Sequence, residues 1–358
     1  MPAGFIQAAR MNTRPSILSA IVAAALTSTL PFTCAMGQTA MLPAPGFHHL
    51  HLNSVDPDAA IDFYTRQFAS TRKMTWGGLP ALQSPNNVLI LFTKVDKPPP
   101  TSPQTAIWHF GWYVADVRAS RDGYLRRPDV ELLPLYTTEQ GGSVLISTDT
   151  WPGRDGVLGL TRAQIADATR NGVQPTRRGG FAYMRGPDNA IVEYMQDSTA
   201  ERMNHVHFIH EQPFCAQLWY QKHLGATVLP PRPGTPQNTT PQSSAPPVTE
   251  ANCKVERSAD PTWPALEPKG FIRVPSAAVM FGDVAFPSYM RQDETPLAPT
   301  RGNLYDHIAL SVGDLDAWVA KLRGDGVTFL EQPYRLGDTR AVLIEGPSRE
   351  AIELVEVK

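Results

Sequence analysis

Phe47-His48-His49-Leu50-His51-Leu52 is the stretch from which the fold of this 358-residue chain is read. Histidine at 49 and 51 alternates with leucine at 50 and 52, and side chains two apart on a β-strand share a face. One face of such a strand carries imidazole and the other is aliphatic. The same alternation returns in His109-Phe110-Gly111-Trp112, in His205-Val206-His207-Phe208 and in His307-Ile308-Ala309-Leu310. Seven of the 9 histidines lie in these four segments, and an eighth, His210, stands two residues past the third. Imidazole is the commonest metal ligand, so a histidine that keeps returning to one structural position points to metal chemistry.

The residues after each strand repeat as well. Asp56, Asp116 and Asp314 stand seven residues after His49, His109 and His307, where a carboxylate can cap a helix N-terminus. In the third copy Gln212-Pro213 takes that place, and the helical pattern runs through Phe214, Leu218 and Leu224 to Gly225 as its stop. Ala60, Phe63, Tyr64 and Phe68 mark the first helix, and Leu315, Trp318, Val319 and Leu322 the last. Short strands are expected at Val88–Phe92, Val144–Ser147, Ala190–Met195, Val279–Phe281, Ala341–Ile344 and Ile352–Val357. The unit is βαβββ, four times over.

Spacing locates two insertions. His205 and His307 lie farther apart than His49 and His109, which places extra chain in the Pro-rich residues 229–270 of the third unit. A segment so rich in proline joins a sheet poorly and reads as an extended surface loop, an ornament rather than a lid. The long interval from His109 to Glu193 places a second insertion at about 150–180, with a short helix over Thr161–Asn171.

The net charge of −2 and the lack of a basic patch argue against a nucleic-acid partner. Arg10 and Arg14 precede an uncharged run from Ile17 to Leu30, which reads as an export signal over residues 1–37 and is too short for a stable membrane span. Such a signal implies export to a periplasm or beyond the cell, with lipidation at Cys34 as the alternative. Removal of the signal leaves Cys215 and Cys253, either bridged to one another or as a buried thiol on a helix and an exposed one.

The four units resemble the βαβββ modules of the vicinal oxygen chelate superfamily, which includes glyoxalase I, extradiol ring-cleavage dioxygenases and bleomycin-resistance binding proteins. The resemblance rests on the strand histidine with Asp seven residues later, and on the aromatic pairs Phe63-Tyr64 and Trp219-Tyr220. It also rests on a Gly-Pro turn before an acidic strand, at Gly186-Pro187 with Glu193 and at Gly346-Pro347 with Glu353. It covers roughly residues 46–358. It implies an α+β fold whose four βαβββ modules pair into two cupped, incomplete barrels: modules 1 and 2 over 46–198, and modules 3 and 4 over 203–358.

The resemblance also implies metal ligands, namely His49, His109 and Glu193 in the first cup and His205, His307 and Glu353 in the second. Two imidazoles and a carboxylate leave positions open on a non-haem Fe(II) for substrate and dioxygen, so Fe(II) or Mn(II) and cleavage of a small catechol-like aromatic are expected. A glyoxalase-like lyase or isomerase would take Zn or Ni and a fourth, acidic ligand on the last strand of modules 1 and 3. Val88–Phe92 and Ala277–Phe281 contain no acid. A non-catalytic binding protein is the remaining alternative. His51 and His207, on the ligand face, could be acid/base groups, replacement ligands or hydrogen-bonded wall residues. Tyr334 is the candidate for proton transfer. His48 is expected on the opposite strand face, His210 in solvent and His223 on a helix surface. The expected partner is a small molecule, and self-association stays open.

Overall fold

The computed structural model describes residues 42–136, 143–147, 167, 170–172, 180–197, 200–229, 248–259 and 265–357. The export signal, Cys34 and most of the helix expected over Thr161–Asn171 lie outside the described residues.

Module 1 comprises β1 (Gly46–Ser54), α1 (Pro57–Gln67), β2 (Arg72–Trp76), β3 (Leu79–Gln83) and β4 (Leu89–Lys94). Module 2 comprises β5 (Ile107–Val114), α2 (Val117–Leu125), β6 (Glu131–Leu133), a small β7–β8 ladder (Leu135–Tyr136 and Ser143–Val144), β9 (Phe181–Arg185) and β10 (Ile191–Gln196). Module 3 comprises β11 (Arg202–His210), α3 (Pro213–Leu224), β12 (Thr227–Val228), β13 (Ser276–Phe281) and β14 (Val284–Met290). Module 4 comprises β15 (Tyr305–Val312), α4 (Leu315–Gly324), β16 (Phe329–Leu336), β17 (Thr339–Glu345) and β18 (Ala351–Glu356). The helices start where their caps dictate. Asp56, Asp116 and Asp314 accept from the backbone N–H groups of Ala59, of Arg118 and Ala119, and of Ala317. Pro213 opens α3, and Gly225 ends it in the left-handed conformation at φ 66°.

The strands form two eight-stranded sheets ordered β16-β17-β18-β15-β1-β4-β3-β2 and β12-β13-β14-β11-β5-β10-β9-β6. Module 1 therefore pairs with module 4 and module 2 with module 3, through the antiparallel first strands β1·β15 and β11·β5. This corrects the expected pairing of 1 with 2 and 3 with 4, together with the division at about residue 200 that it implied. The physical reason is the length of the links. Residues 197–201 are too short to leave a sheet, so β11 lies beside β5 in the sheet that holds β10, whereas residues 95–106 and 291–304 are long enough to carry the chain across. Leu42–Lys358 form one unit. The aliphatic faces of both sheets share a single core, in which Phe47 meets Phe286 edge-on at 5.6 Å and Tyr64 meets Phe110 at 5.7 Å.

Three local readings also change. The last strand of module 3 is β14, not Val279–Phe281, and Pro287 inside it hid it, since proline normally argues against an inner strand. A register shift between Phe47 and His49 turns His48 toward His49 instead of to the opposite face, and the two Nδ1 atoms lie 2.8 Å apart. His210 is buried, with Nδ1 2.9 Å from Ser348 Oγ, and His223 is buried beside Asp325 at 3.2 Å.

The Pro-rich insertion is tied down wherever it is described. Cys253 is disulfide-bonded to Cys215 of α3, Ala265 exchanges two backbone hydrogen bonds with Tyr136, and directly after the insertion Phe271 stacks on Trp108 with ring centres 4.7 Å apart. The bridged alternative for the cysteines is the one present. In the first sheet the edge hairpins meet at Gly77 and Gly337, each at φ +58°, where a Cβ on Gly337 would come within 2.8 Å of Gly77 Cα. Only glycine allows that approach.

Candidate metal centres

Each cup gathers its ligand face from three neighbouring strands. In the 1/4 cup, His49 of β1 stands opposite Ala309 of β15, which is in register with Glu353 of β18, while His51 stands opposite His307. In the 2/3 cup, His205 of β11 stands opposite Gly111 of β5, which is in register with Glu193 of β10, while His207 stands opposite His109. The two sets are related position by position. All six residues expected as ligands thus line a cup, but in a different grouping. His49, His307 and Glu353 meet in one cup and His109, His205 and Glu193 in the other, which corrects the expected sets for the same reason that corrects the module pairing.

In the 1/4 cup, Glu353 Oε2 lies 3.4 Å from His49 Nε2 and 3.9 Å from His307 Nε2. All three atoms are buried and lack a hydrogen-bond partner. Burying unpaired polar atoms is costly, so their convergence marks a position that a cation would satisfy. Burial, with some opposition from His307 and Tyr334, raises the Glu353 carboxyl above its usual range. Burial also lowers His49 and His51 well below the usual imidazole value, so both are neutral and hold lone pairs. His307 Nδ1 donates to Asp306 Oδ1 at 2.6 Å, which directs Nε2 into the cup. Asp306 is fixed by the backbone N–H of Gly302 at 2.7 Å and by Arg301 at 3.1 Å. Although burial disfavours its charge, the hydrogen bond from His307 and these neighbours hold the Asp306 carboxyl well below the usual range. A carboxylate behind a histidine is the usual support of a metal ligand. Tyr334 OH donates to Glu353 Oε1, and His51 Nε2 lies 2.7 Å from Thr93 Oγ1. Apolar groups complete the wall: Leu89 and Leu91 on one side, Ala309, Ala341 and Val355 on the other, and Trp76 packed against both.

The 2/3 cup is knit more tightly. His109 Nε2 lies 3.1 Å from Glu193 Oε2 and 3.3 Å from His205 Nε2, and Tyr183 OH donates to Glu193 Oε2 at 2.7 Å. Burial alone would raise Glu193, but the hydrogen bonds and His205 bring it down to about 2. Burial keeps His109 and His207 neutral. Donor atoms of His109, Glu193, His205 and His207 all lie within 4.8 Å of one another. The corresponding set in the 1/4 cup is His49, His51 and His307. The His205 ring lies over Gly111, where a Cβ would come within 1.9 Å of Cε1, so this close approach requires glycine.

Neither β4 nor β14 presents a carboxylate. Sequence reasoning missed Asp306, Thr93, Tyr183 and Gly111. Asp306 carried a signal, a carboxylate directly before a ligand histidine; the other three depend on cross-strand register and had none.

Residues 202–354 match the family model described as "Glyoxalase/Bleomycin resistance protein/Dioxygenase superfamily". Glyoxalase I from Zea mays superposes with a TM-score of 0.52 at 14% identity, over 87% of this chain and 92% of that one. A putative dioxygenase from Bacillus subtilis superposes with a TM-score of 0.50 at 10% identity, over 88% and 86%. At such identities these structures speak for the fold alone. No curated protein matches in sequence. The family model thus covers the second half of the chain, and the fold of these two solved structures extends over both halves.

Proposed function

We propose that the 1/4 cup is the centre of a metal-dependent enzyme that opens the ring of a small catechol-like aromatic with dioxygen. The observation that carries this reading is the convergence of three buried, unpartnered donors, His49 Nε2, His307 Nε2 and Glu353 Oε2, with no acid on β4 to take a further position. These residues suit Fe(II) or Mn(II), which supplies open coordination positions for a vicinal diol and for dioxygen. The chain's own residues do the rest. Trp76, Leu89, Leu91 and Ala341 offer an apolar wall to an aromatic ring and exclude water. His51, neutral and anchored by Thr93 through Nε2, receives a proton from a substrate hydroxyl on Nδ1. Tyr334, whose phenol burial holds protonated beside Glu353, keeps that carboxylate aimed into the cup.

A second reading, a glyoxalase-like lyase or isomerase holding Zn or Ni, is favoured by the four clustered donors of the 2/3 cup. Metal analysis and then dioxygen uptake with a panel of catechols separate the two. Iron with uptake supports the first, and Zn or Ni without uptake supports the second. No retained metal, with ligand binding unchanged in His49→Ala and His307→Ala, contradicts both and leaves a binding protein.

Export is part of the proposal. The Cys215–Cys253 bridge supports it, because disulfides persist in oxidising compartments. Cell fractionation that finds the chain with its N-terminus intact in the cytoplasm would contradict it.

A further inference from the structure

His51 and His207 occupy equivalent places, two residues beyond an expected ligand on the same strand face, yet they are held differently. In the 1/4 cup, Asn53 of β1 pairs with Thr93 of β4, and Thr93 Oγ1 engages His51 Nε2 at 2.7 Å. In the 2/3 cup the equivalent pair is Ile209 of β11 with Tyr289 of β14. The Tyr289 ring packs tilted against His207, with the centroids 4.3 Å apart and the planes at 52°. His207 is 5% exposed, and its Nε2 has no hydrogen-bond partner. Its donor atom lies within 4.8 Å of those of His109, Glu193 and His205 together; His51 groups with His49 and His307 but not with Glu353, and its Nε2 is taken up by Thr93.

Resting on the metal-binding reading of the cups, we propose that His207 is a fourth metal ligand in the 2/3 cup, and that Thr93 keeps His51 out of the coordination sphere in the 1/4 cup. The chain then carries two unlike centres. One is a three-histidine, one-glutamate site that holds its ion from β5, β10 and β11. The other is a two-histidine, one-glutamate site with more open positions. A fourth ligand that is a third imidazole nitrogen favours Zn(II), Ni(II) or Cu(II) over Mn(II) in the 2/3 cup.

Cu(II) is a suitable probe, because pulsed EPR counts the histidine nitrogens bound to it, and each cup can be read alone once the other is silenced. With the 1/4 cup silenced by His307→Ala and Glu353→Ala, copper is expected to report three histidine nitrogens. Adding His207→Ala should reduce the count to two and weaken binding by at least ~10²-fold, since losing even a supporting residue costs ~10–100-fold. With the 2/3 cup silenced by His109→Ala and Glu193→Ala, copper should report two nitrogens, and Thr93→Val, which keeps shape and removes the hydroxyl, should raise this to three. Melting curves of each variant verify folding, and Thr93→Val tests the proposal even if His207→Ala does not fold. Two nitrogens in the 2/3 cup with unchanged affinity in His207→Ala would overturn the inference and leave the metal reading intact. Absence of copper from both cups would overturn both.

Discussion

The two cups use the same strand positions and differ in what stands behind them. In the 1/4 cup a carboxylate, Asp306, sits directly before His307 and orients it, and three donor atoms are left without protein partners. In the 2/3 cup the residue before His109 is Trp108, packed edge-on against the imidazole at 4.3 Å, and Glu193 is already bonded to His109 and Tyr183. Their carboxylates respond in opposite senses: burial prevails in Glu353, and hydrogen bonds prevail in Glu193. A repeated motif therefore fixes where ligands stand, while their neighbours decide how ready each set is to take up an ion and a substrate.

The comparison can be broken most forcefully by removing a ligand from one cup at a time. Glu353→Ala is expected to remove one of two metal equivalents and weaken binding in that cup by at least ~10²-fold, leaving the other cup unchanged. Metal titration monitored by calorimetry reads this, and loss of both equivalents would show that the cups are not independent. Asp306→Asn should cost ~10–100-fold in metal affinity in the 1/4 cup alone, because His307 loses its charged support. Trp108, at the equivalent place in the other cup, gives no such support, so Trp108→Phe should leave metal affinity in the 2/3 cup within about twofold.

A smaller effect concerns the Gly-Pro turns. Glu350 in module 4 is wholly buried, accepts hydrogen bonds from Tyr220 and the backbone of Ser348, and is raised by burial to about 7, whereas module 2 has Ala190 at the same place. A carboxyl raised in the folded state holds its proton between pH 4.5 and about 7 while the unfolded chain releases it, so stability falls as pH rises through that window. The loss is up to about 3 kcal/mol above the window. Thermal unfolding at pH 4.5 and 8 should show this slope in the native chain and not in Glu350→Gln; equal slopes would place the raised carboxyl elsewhere. Gly111→Ala should cost about 1–3 kcal/mol by overpacking and displace His205, while Ala309→Gly should leave the geometry of the 1/4 cup intact.

Alternating histidine and aliphatic positions made the four first strands legible in the residues, because a period of two is unmistakable where one face is core. The Asp caps and the Gly225 stop identified the helix ends, because those groups answer local backbone demands. Which first strands pair was not written in the histidines, since any two would present the same face; the signal lay in the short link at 197–201. His48 departs from its expected face because a bulge breaks the alternation there. Thr93 and Tyr289, which separate the fates of His51 and His207, become neighbours of those histidines only through cross-strand register.

Whether the 1/4 cup rather than the 2/3 cup is the catalytic one is decided by catechol-dependent dioxygen uptake in Fe(II)-reconstituted protein carrying either Glu353→Ala or Glu193→Ala. Glu353→Ala is expected to abolish uptake and Glu193→Ala to retain most of it. Uptake that survives Glu353→Ala and disappears in Glu193→Ala would place the chemistry in the other cup and refute the assignment.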